Sequence, residues 1–419
     1  MEKGIIARII PLNDPNWEPL IILANRKSGS NRSDEVLSIF RGILNPIQVV
    51  DIGSVSPERV SQWLPGRCRV LVAGGDGTVS WVLNALAQCT IRQIKGQISM
   101  QITKKQVVTA SHGHLQSQRS HQCVNGVLDR NRMSREREVG SGEREASVAI
   151  LPMGTGNDLS RVLGWGATCS FPLNAHSIIR AVTKAVEQPL DRWRITIKPK
   201  RSRLRRTNTE RTIYAYNYIS IGVDAQIALD FHRARTQFLY RYASRTINYE
   251  TFGFGLRRLQ LVLCAGRGDN TSMAYLFLGV TRTLDDGGCH GLERRLRVRV
   301  DNDVPLSLPP LQALVMLNIP SWCAGVDLWK MGDDDEVDEQ DLCDGKFEVV
   351  GISSSFQIAR LQCGLAEPYR FLQASQIKIE LSGKSAMQVD GEPWMQGPAT
   401  IMVQQAGCVL MLKRSSTEM

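Results

Sequence analysis

Two glycine-rich turns that each carry an acidic residue are the features of this sequence that could do chemistry. The first is Gly74-Gly75-Asp76-Gly77-Thr78, which follows the apolar run at 69–73. The second is Gly154-Thr155-Gly156-Asn157-Asp158, which follows the apolar run at 149–153. Glycine lets a backbone come close to a ligand, and the N–H groups at the start of a following helix favour an anion. Two such turns in one domain predict one nucleotide held from two sides.

The acids in these turns predict Mg²⁺ chemistry, because hard cations take carboxylate oxygens as ligands. Neither turn is a Walker A motif, since no Gly-Lys-Ser/Thr ends it, and neither has the G-x-G-x-x-G spacing of a dinucleotide site. Each turn alone also fits a purely structural connection, and Asp158 alone also fits a helix N-cap. The two turns together favour phosphate and Mg²⁺ binding.

A third acidic motif, Asp390-Gly391-Glu392, lies far along the chain. A glycine between two acids predicts a tight turn that presents carboxylates, although a plain hairpin turn fits the same residues. The residues alone leave both interpretations open.

The motifs resemble a known family. The 74–78 turn is similar to the GGDGT signature of the diacylglycerol kinase, sphingosine kinase and NAD kinase superfamily. The run at 151–159, followed by Leu163-Gly164-Trp165-Gly166, resembles the catalytic domain of eukaryotic diacylglycerol kinases, with the epsilon-like branch as the nearest type. Further stretches resemble that family in the same order along the chain, at 23–29, 190–193, 221–232, 317–322, 344–351 and 388–394.

The resemblance implies a site for ATP and Mg²⁺ and a set of residues that form it. Asp76 and Glu392 are implied as catalytic residues, with Glu392 as the base for the lipid hydroxyl. Asp76 and Asp344 are implied as metal ligands, although a turn or a domain-interface hydrogen bond fits Asp344 as well. The implied nucleotide site comprises Asn25, Ser28, Gly29, Gly74, Gly75, Gly77, Thr78, Gly154, Thr155, Gly156, Asn157 and Asp158.

The implied activity is transfer of a phosphoryl group from ATP to diacylglycerol at a membrane surface, which yields phosphatidate. Two alternatives stay open at this point. One is another lipid kinase of the superfamily, acting on sphingosine or ceramide. The other is a catalytically inactive truncated isoform that only binds membranes or partners, because the catalytic pattern begins near 16–17 with no cysteine-rich zinc module before it.

Composition excludes several other classes of protein. No apolar run is long enough to span a bilayer, and the N-terminus has no signal-peptide pattern. The ten cysteines are scattered without a Cys-x-x-Cys pair, which argues against structural zinc and a disulfide framework. We therefore expect a cytoplasmic protein that associates peripherally with membranes. The net charge of +10 is partly concentrated at 194–211, where a solvated loop or an anionic membrane contact is expected rather than nucleic acid.

The pattern predicts two domains. Strands alternate with helices over 17–190, which indicates an α/β domain with a parallel sheet and a site at the strand ends. Strands with few helices over 191–415 indicate a β-rich, sandwich-like accessory domain, and the resemblance places the active site in the cleft between the domains. A polar insertion at 97–147, which holds His112, His114 and His121, is expected to be disordered rather than metal-binding. The segment at 248–293 is atypical of the family.

Overall fold

The computed structural model describes residues 18–26, 32–65, 67–88, 145–154, 156–200, 209–241, 289–331 and 338–415, and the structural statements below concern these residues. Three of the predicted nucleotide-site residues, Ser28, Gly29 and Thr155, lie outside them. Most of the predicted insertion (97–144) and of the atypical segment (248–288) also lies outside them.

The first part of the chain alternates strands and helices, as predicted. The strands are β1 (Leu20–Ala24), β2 (Val49–Asp51), β3 (Arg67–Gly74) and β4 (Glu145–Pro152). The helices are α1 (Ser33–Arg41), α2 (Pro57–Trp63), α3 (residues 76–88), α4 (Asp158–Val162) and α5 (Ala175–Lys184), and a short 3-10 helix spans Pro46–Gln48.

The second part is richer in strands. Its strands are β5 (Val186–Pro199), β6 (Arg211–Ala215), β7 (Tyr218–Gly222), β8 (Leu296–Val300), β9 (Val304–Leu306), β10 (Ala313–Leu317), β11 (Phe347–Ile352), β12 (Tyr369–Ala374), β13 (Gln376–Leu381), β14 (Ser385–Val389), β15 (Glu392–Gln396) and β16 (Ala399–Lys413). Its helices are α6 (Val223–Arg241), α7 (Leu292–Arg295) and α8 (Ser355–Gln362).

Strands β2, β1, β3 and β4 form a parallel sheet in that order. Its strands are apolar on both faces, as expected for a parallel sheet covered by helices on both sides. Along β1, Ile21 and Leu23 enter one buried cluster, whereas Ile22 and Ala24 enter the cluster on the opposite face. The carboxyl ends of β1, β3 and β4 meet at one edge, which brings the first and second glycine turns together.

The two parts of the chain share a pair of long strands. Strand β16 pairs antiparallel with β5, and near its end Met411 pairs parallel with Val148 of β4. The C-terminal strand therefore extends the N-terminal sheet, and Met411 and Leu412 enter the two clusters on its faces. The predicted domain boundary at 190/191 lies inside β5.

A second sheet is antiparallel, in the order β12-β11-β10-β7-β14-β15. It packs against β13, β8 and the shared strands through a large apolar cluster. In this cluster Trp193 meets Phe347 edge-on, with ring centroids 4.5 Å apart. The structure therefore confirms the predicted α/β domain with a parallel sheet followed by a β-rich, sandwich-like domain.

Several predicted element bounds need correction. The predicted insertion ends too late, because its last residues belong to β4 and Ser147 is buried there. The atypical segment likewise ends inside an ordered element, since α7 begins at Leu292, which is fully buried. Within the β-rich part, β16 continues past an irregularity between Gln405 and Cys408.

Candidate active site

The first and second glycine turns pack directly against each other. A Cβ atom added to Gly75 would lie 2.8 Å from the Cα of Gly154, and one added to Gly154 would lie 2.4 Å from the Cα of Gly75. Real side chains do not tolerate such distances, so glycine is required at both positions for the backbones to meet. A Cβ on Gly74 would similarly lie 2.6 Å from the Cβ of Thr78.

Asp76 joins the two turns through its carboxylate. Its Oδ2 accepts a hydrogen bond from the backbone N–H of Asp158 at 3.1 Å, and its Oδ1 accepts one from that of Leu159 at 3.3 Å. These are orphan donors at the start of α4, which an acceptor side chain normally satisfies. Burial raises the pKa of Asp76, and hydrogen bonds from the Asp158 and Leu159 N–H groups and from Asn217 oppose that rise.

Asp158 is the second buried acid at the same place. Its Oδ1 accepts from the Ser321 hydroxyl at 2.5 Å and from the backbone N–H groups of Ala324 and Gly325, both at 3.1 Å. The pKa of Asp158 is raised to about 7, first because burial disfavours its charge and second because the Asp76 carboxylate repels it. The N-cap of α4 is Asn157 rather than Asp158, so the alternative of a simple N-cap is wrong.

One carboxylate oxygen of each acid lies beside Gly156. A Cβ added to Gly156 would lie 3.1 Å from Oδ2 of Asp158 and 3.4 Å from Oδ2 of Asp76. Two carboxylate oxygens that converge beside a residue without a side chain are a donor set suited to a hard divalent cation. Asp158 is thus a candidate ligand that sequence reasoning had placed only in the nucleotide site.

Asn157 shapes the second turn. It adopts a left-handed conformation with φ of 52°, which asparagine tolerates better than most residues. Its Oδ1 accepts from the Gly154 N–H, and its amide donates to the carbonyls of Gly154 and Ala167. The described contacts of this side chain thus go to the backbone around its own turn.

Asn25 lies beside the first turn, where strand β1 ends. Its side-chain amide donates to Oγ1 of Thr78 at 3.2 Å, and its carbonyl accepts from the Ser33 hydroxyl at the start of α1. The structure thus brings Asn25 and Thr78 together, as their predicted common site requires.

Glu392 reaches the first turn from the second sheet. A Cβ added to Gly77 would lie 2.8 Å from its Oε1, so its carboxylate lies against the beginning of α3. Glu392 is the first residue of β15 and is exposed to solvent. Glu392 thus lies against the turn that carries Asp76, the other predicted catalytic residue.

Asp390 has a different role from its neighbour Glu392. It is buried, and its carboxylate accepts from the Ser80 hydroxyl at 2.8 Å and from the backbone N–H groups of Tyr216, Asn217 and Tyr218. Burial raises its pKa to about 6 even though these four donors oppose the rise. Asp390 therefore fastens the second sheet to α3, a role that its place in an acidic turn did not reveal.

A second contact also joins α3 to the β-rich part. The side-chain Oδ1 of Asn84 accepts from the Tyr216 hydroxyl at 2.9 Å and from the Arg192 guanidinium at 3.3 Å. The guanidinium also stacks over the Tyr214 ring, 3.5 Å from its centroid. No sequence motif had marked Ser80 or Asn84, because isolated polar residues on an amphipathic helix carry no positional signal.

Asp344 lies in an exposed loop before β11. Its Oδ1 accepts from the backbone N–H of Lys346 at 2.8 Å, which forms an Asx turn. The next residue, Gly345, donates its N–H to Oδ2 of Asp191 at 2.7 Å. The predicted metal role of Asp344 stays a prediction.

Comparison with known proteins decides the family. The diacylglycerol kinase catalytic domain model matches residues 19–103 and 120–188, and the diacylglycerol kinase accessory domain model matches residues 214–393. The chain belongs to the diacylglycerol kinase family. The catalytic match runs into the predicted insertion and leaves only 104–119 unmatched, and the accessory match spans the whole segment at 248–293.

Individual relatives agree with this family. The chain is 30% identical over 417 residues to human diacylglycerol kinase theta, covering 96% of this chain and 36% of that protein. It is 31% identical over 409 residues to diacylglycerol kinase 1 of Arabidopsis thaliana, covering 96% of this chain and 45% of that protein. The chain thus spans between a third and a half of the length of these relatives. The epsilon-like branch stays a prediction.

A solved structure also resembles the chain. It is a putative diacylglycerol kinase from Bacillus anthracis, with 15% identity and a TM-score of 0.47, and the match covers 95% of this chain and 98% of that one. Within the part of the chain that the structure describes, no helix combines the length and apolar character needed to cross a membrane.

Proposed function

We propose that this chain transfers the γ-phosphoryl group of Mg²⁺-ATP to the free hydroxyl of diacylglycerol, yielding phosphatidate and ADP. The observation that carries the proposal is the position of Glu392, whose carboxylate lies against Gly77 of the first glycine turn. A base from the second sheet therefore adjoins the turn that is suited to phosphates. Membership of the diacylglycerol kinase family supports the same acceptor.

The first and second glycine turns form the proposed nucleotide site. Gly74, Gly75 and Gly77 allow the backbone to approach the phosphates, and Thr78 and Asn25 add polar side chains at the edge of the sheet. Gly154 and Gly156 extend the site from the second turn. We assign Asn157 to the shape of that turn, since its amide bonds the backbone around it. Ser28, Gly29 and Thr155 complete the set as sequence predictions.

Asp76 and Asp158 would hold the metal, because their Oδ2 atoms converge beside Gly156. Mg²⁺ bound there supplies positive charge that neutralises the phosphates during transfer. The chain has no P-loop lysine, so its own contribution is the N–H groups of the turns and these two carboxylates. Burial and, second, repulsion by the Asp76 carboxylate raise the pKa of Asp158, so a cation beside the two acids would be favourable.

Glu392 would act as the general base. Its carboxylate takes the proton of the acceptor hydroxyl, the hydroxyl oxygen bonds to the γ-phosphorus, and the bond to the β-phosphate oxygen breaks to release ADP. Asp390 holds the base in position, because it fastens the turn before β15 to Ser80 of α3. Peripheral contact with a membrane is part of the proposal, since the acceptor is a membrane lipid.

The test is a kinase assay with labelled ATP and mixed micelles that contain diacylglycerol, sphingosine or ceramide. We expect diacylglycerol to be labelled faster than sphingosine or ceramide. Glu392→Gln should reduce turnover by roughly two to four orders of magnitude and leave Mg²⁺-ATP affinity near normal in calorimetry. Glu367→Gln, at an exposed position, is the matched control and should behave as wild type.

Three results would contradict the proposal. Faster labelling of sphingosine or ceramide would identify another lipid kinase of the superfamily. A folded wild-type protein that labels none of the acceptors would support the inactive isoform. Loss of Mg²⁺-ATP affinity in folded Glu392→Gln would move Glu392 into the nucleotide site.

A further inference from the structure

Two thiols from distant parts of the sequence meet beside Asp191 of β5. The Sγ atoms of Cys343 and Cys408 lie 2.9 Å apart, although 65 positions separate them in the sequence. A disulfide requires a sulfur–sulfur distance of about 2.0 Å. The bond therefore needs a shift of less than 1 Å, which side-chain rotation and small backbone adjustments can supply.

The two backbone segments that carry these cysteines are both hydrogen-bonded to Asp191 or to its strand. Cys408 follows the irregularity in β16 and pairs with Asp191 of β5. The loop at 338–346, which carries Cys343, is attached to the same residue, because the Asp191 N–H donates to the Leu342 carbonyl and the Gly345 N–H donates to the Asp191 carboxylate, both at 2.7 Å. Asp191 thus fixes the two cysteines relative to each other.

The pair is accessible from solvent. Cys408 is exposed and Cys343 is partly exposed, whereas Asp191 between them is buried. A small oxidant can therefore reach one sulfur without local unfolding. We propose that Cys343 and Cys408 form a reversible disulfide when a hydroperoxide oxidises the protein, fastening the 338–346 loop to the strands shared by the two sheets.

The chemistry balances in two steps. A thiolate attacks the hydroperoxide, which gives a sulfenic acid and releases an alcohol, or water from hydrogen peroxide. The second thiol then attacks the sulfenic sulfur, forms the disulfide and releases water. Each sulfur loses one electron to the peroxide, and a dithiol reductant reverses the change. Burial raises the pKa of both thiols, and the Asp191 carboxylate adds to the rise.

A cation bound by both thiols and Asp191 is the competing use of this cluster. Both carboxylate oxygens already accept hydrogen bonds, Oδ1 from the Gln405 amide at 2.5 Å and Oδ2 from Gly345. The two sulfurs lie 2.9 Å apart, closer than the 3.3 Å over which the Cys408 thiol donates to Oδ1 of Asp191. The arrangement therefore favours a bond between the sulfurs over a three-ligand metal site.

The test compares reduced protein with protein treated with hydrogen peroxide. We expect a digest of the oxidised wild type to contain a peptide that links 343 to 408, sensitive to dithiothreitol. We also expect a rise in Tm of about 3–8 °C, because the bond closes a long loop in the unfolded chain. Both signals should vanish in Cys343→Ser and Cys408→Ser and persist in Cys363→Ser, an exposed cysteine elsewhere.

Two results would overturn the proposal. The first is oxidised wild type in which mass spectrometry finds no 343–408 link, a measurement that needs no variant to fold. The second is one equivalent of zinc in the purified wild-type protein that is lost in both Cys343→Ser and Cys408→Ser, which would make the cluster a metal site. Kinase activity enters neither measurement.

Discussion

Glu392 of β15 and Gly77 of α3 are in contact: Oε1 of the glutamate lies 2.8 Å from the place where a Cβ on the glycine would stand. The glycine lies in the first turn of α3, and the glutamate opens β15. The absence of a side chain at Gly77 thus gives the proposed base its position beside the proposed phosphate site.

This contact predicts that Gly77→Ala impairs catalysis without loss of stability. Alanine favours a helix over glycine by about 1 kcal/mol, so the Tm should be unchanged or higher. The added methyl group pushes the flexible, exposed Glu392 aside, and turnover should fall at least tenfold. Thermal melting and the micelle assay measure the two effects. Gly397→Ala, whose Cβ would meet nothing within 4 Å, is the control. Normal turnover by Gly77→Ala would show that the position of Glu392 does not matter for catalysis.

The contact between Gly75 and Gly154 joins two backbones, so a side chain added there should reduce stability, unlike one added at Gly77. In Gly154→Ala, the Cβ would lie 2.4 Å from the Cα of Gly75, and neither backbone can yield without moving a turn. We expect a loss of roughly 1–3 kcal/mol in the free energy of unfolding and a weaker Mg²⁺-ATP complex. Denaturant melts and calorimetry test this. A stable variant with normal nucleotide affinity would show that the turns need not touch.

The sequence predicted most of this site because its elements carry local signals. The apolar runs at 69–73 and 149–153 predict buried strands, and parallel pairing then brings their carboxyl ends to one edge. Family resemblance added Glu392, which no local pattern connects to the first turn. The contact itself depends on the pairing of β14 with β7, which lies far earlier in the sequence, because that pairing places the local β14–β15 hairpin.

Other features of the site could not be predicted from the sequence. Asp390 and Glu392 stand two positions apart with the same charge, yet one is buried among N–H donors and the other is exposed. That difference depends on where Tyr216 and Asn217 place their backbone, between β6 and β7. Similarly, Met411 enters the N-terminal sheet only because β16 follows β5 along its whole length, and strand pairing between distant segments leaves no short-range pattern.

Asp390 predicts a pH dependence of stability. Its pKa is about 6 in the folded protein, above its value of 3.8 when exposed, because burial disfavours the charge. Its protonated form therefore favours folding below pH 4, and that contribution, on the order of 2–3 kcal/mol, is lost as the pH rises through 6. In Asp390→Asn, the free energy of unfolding should fall less between pH 4 and pH 7 than in wild type. Equal slopes in urea melts would show that Asp390 titrates as if exposed.

The hydrogen bond from Ser80 to Asp390 is expected to stabilise the attachment of α3 to the second sheet. Its hydroxyl donates to Asp390 at 2.8 Å, and Asp390 in turn positions the strand that begins with Glu392. Ser80→Ala removes one of four donors to a buried carboxylate, which should cost about 1–3 kcal/mol of stability. The remaining carboxylate is less well solvated by donors, so its pKa should rise above 6. NMR titration of the Asp390 carboxyl and urea melts measure the two effects.

Ser38→Ala, on the exposed side of α1, is the matched control and should change neither stability nor the Asp390 pKa. A Ser80→Ala variant with unchanged stability and an unchanged Asp390 pKa would mean that the backbone N–H groups of 216–218 hold Asp390 without the hydroxyl.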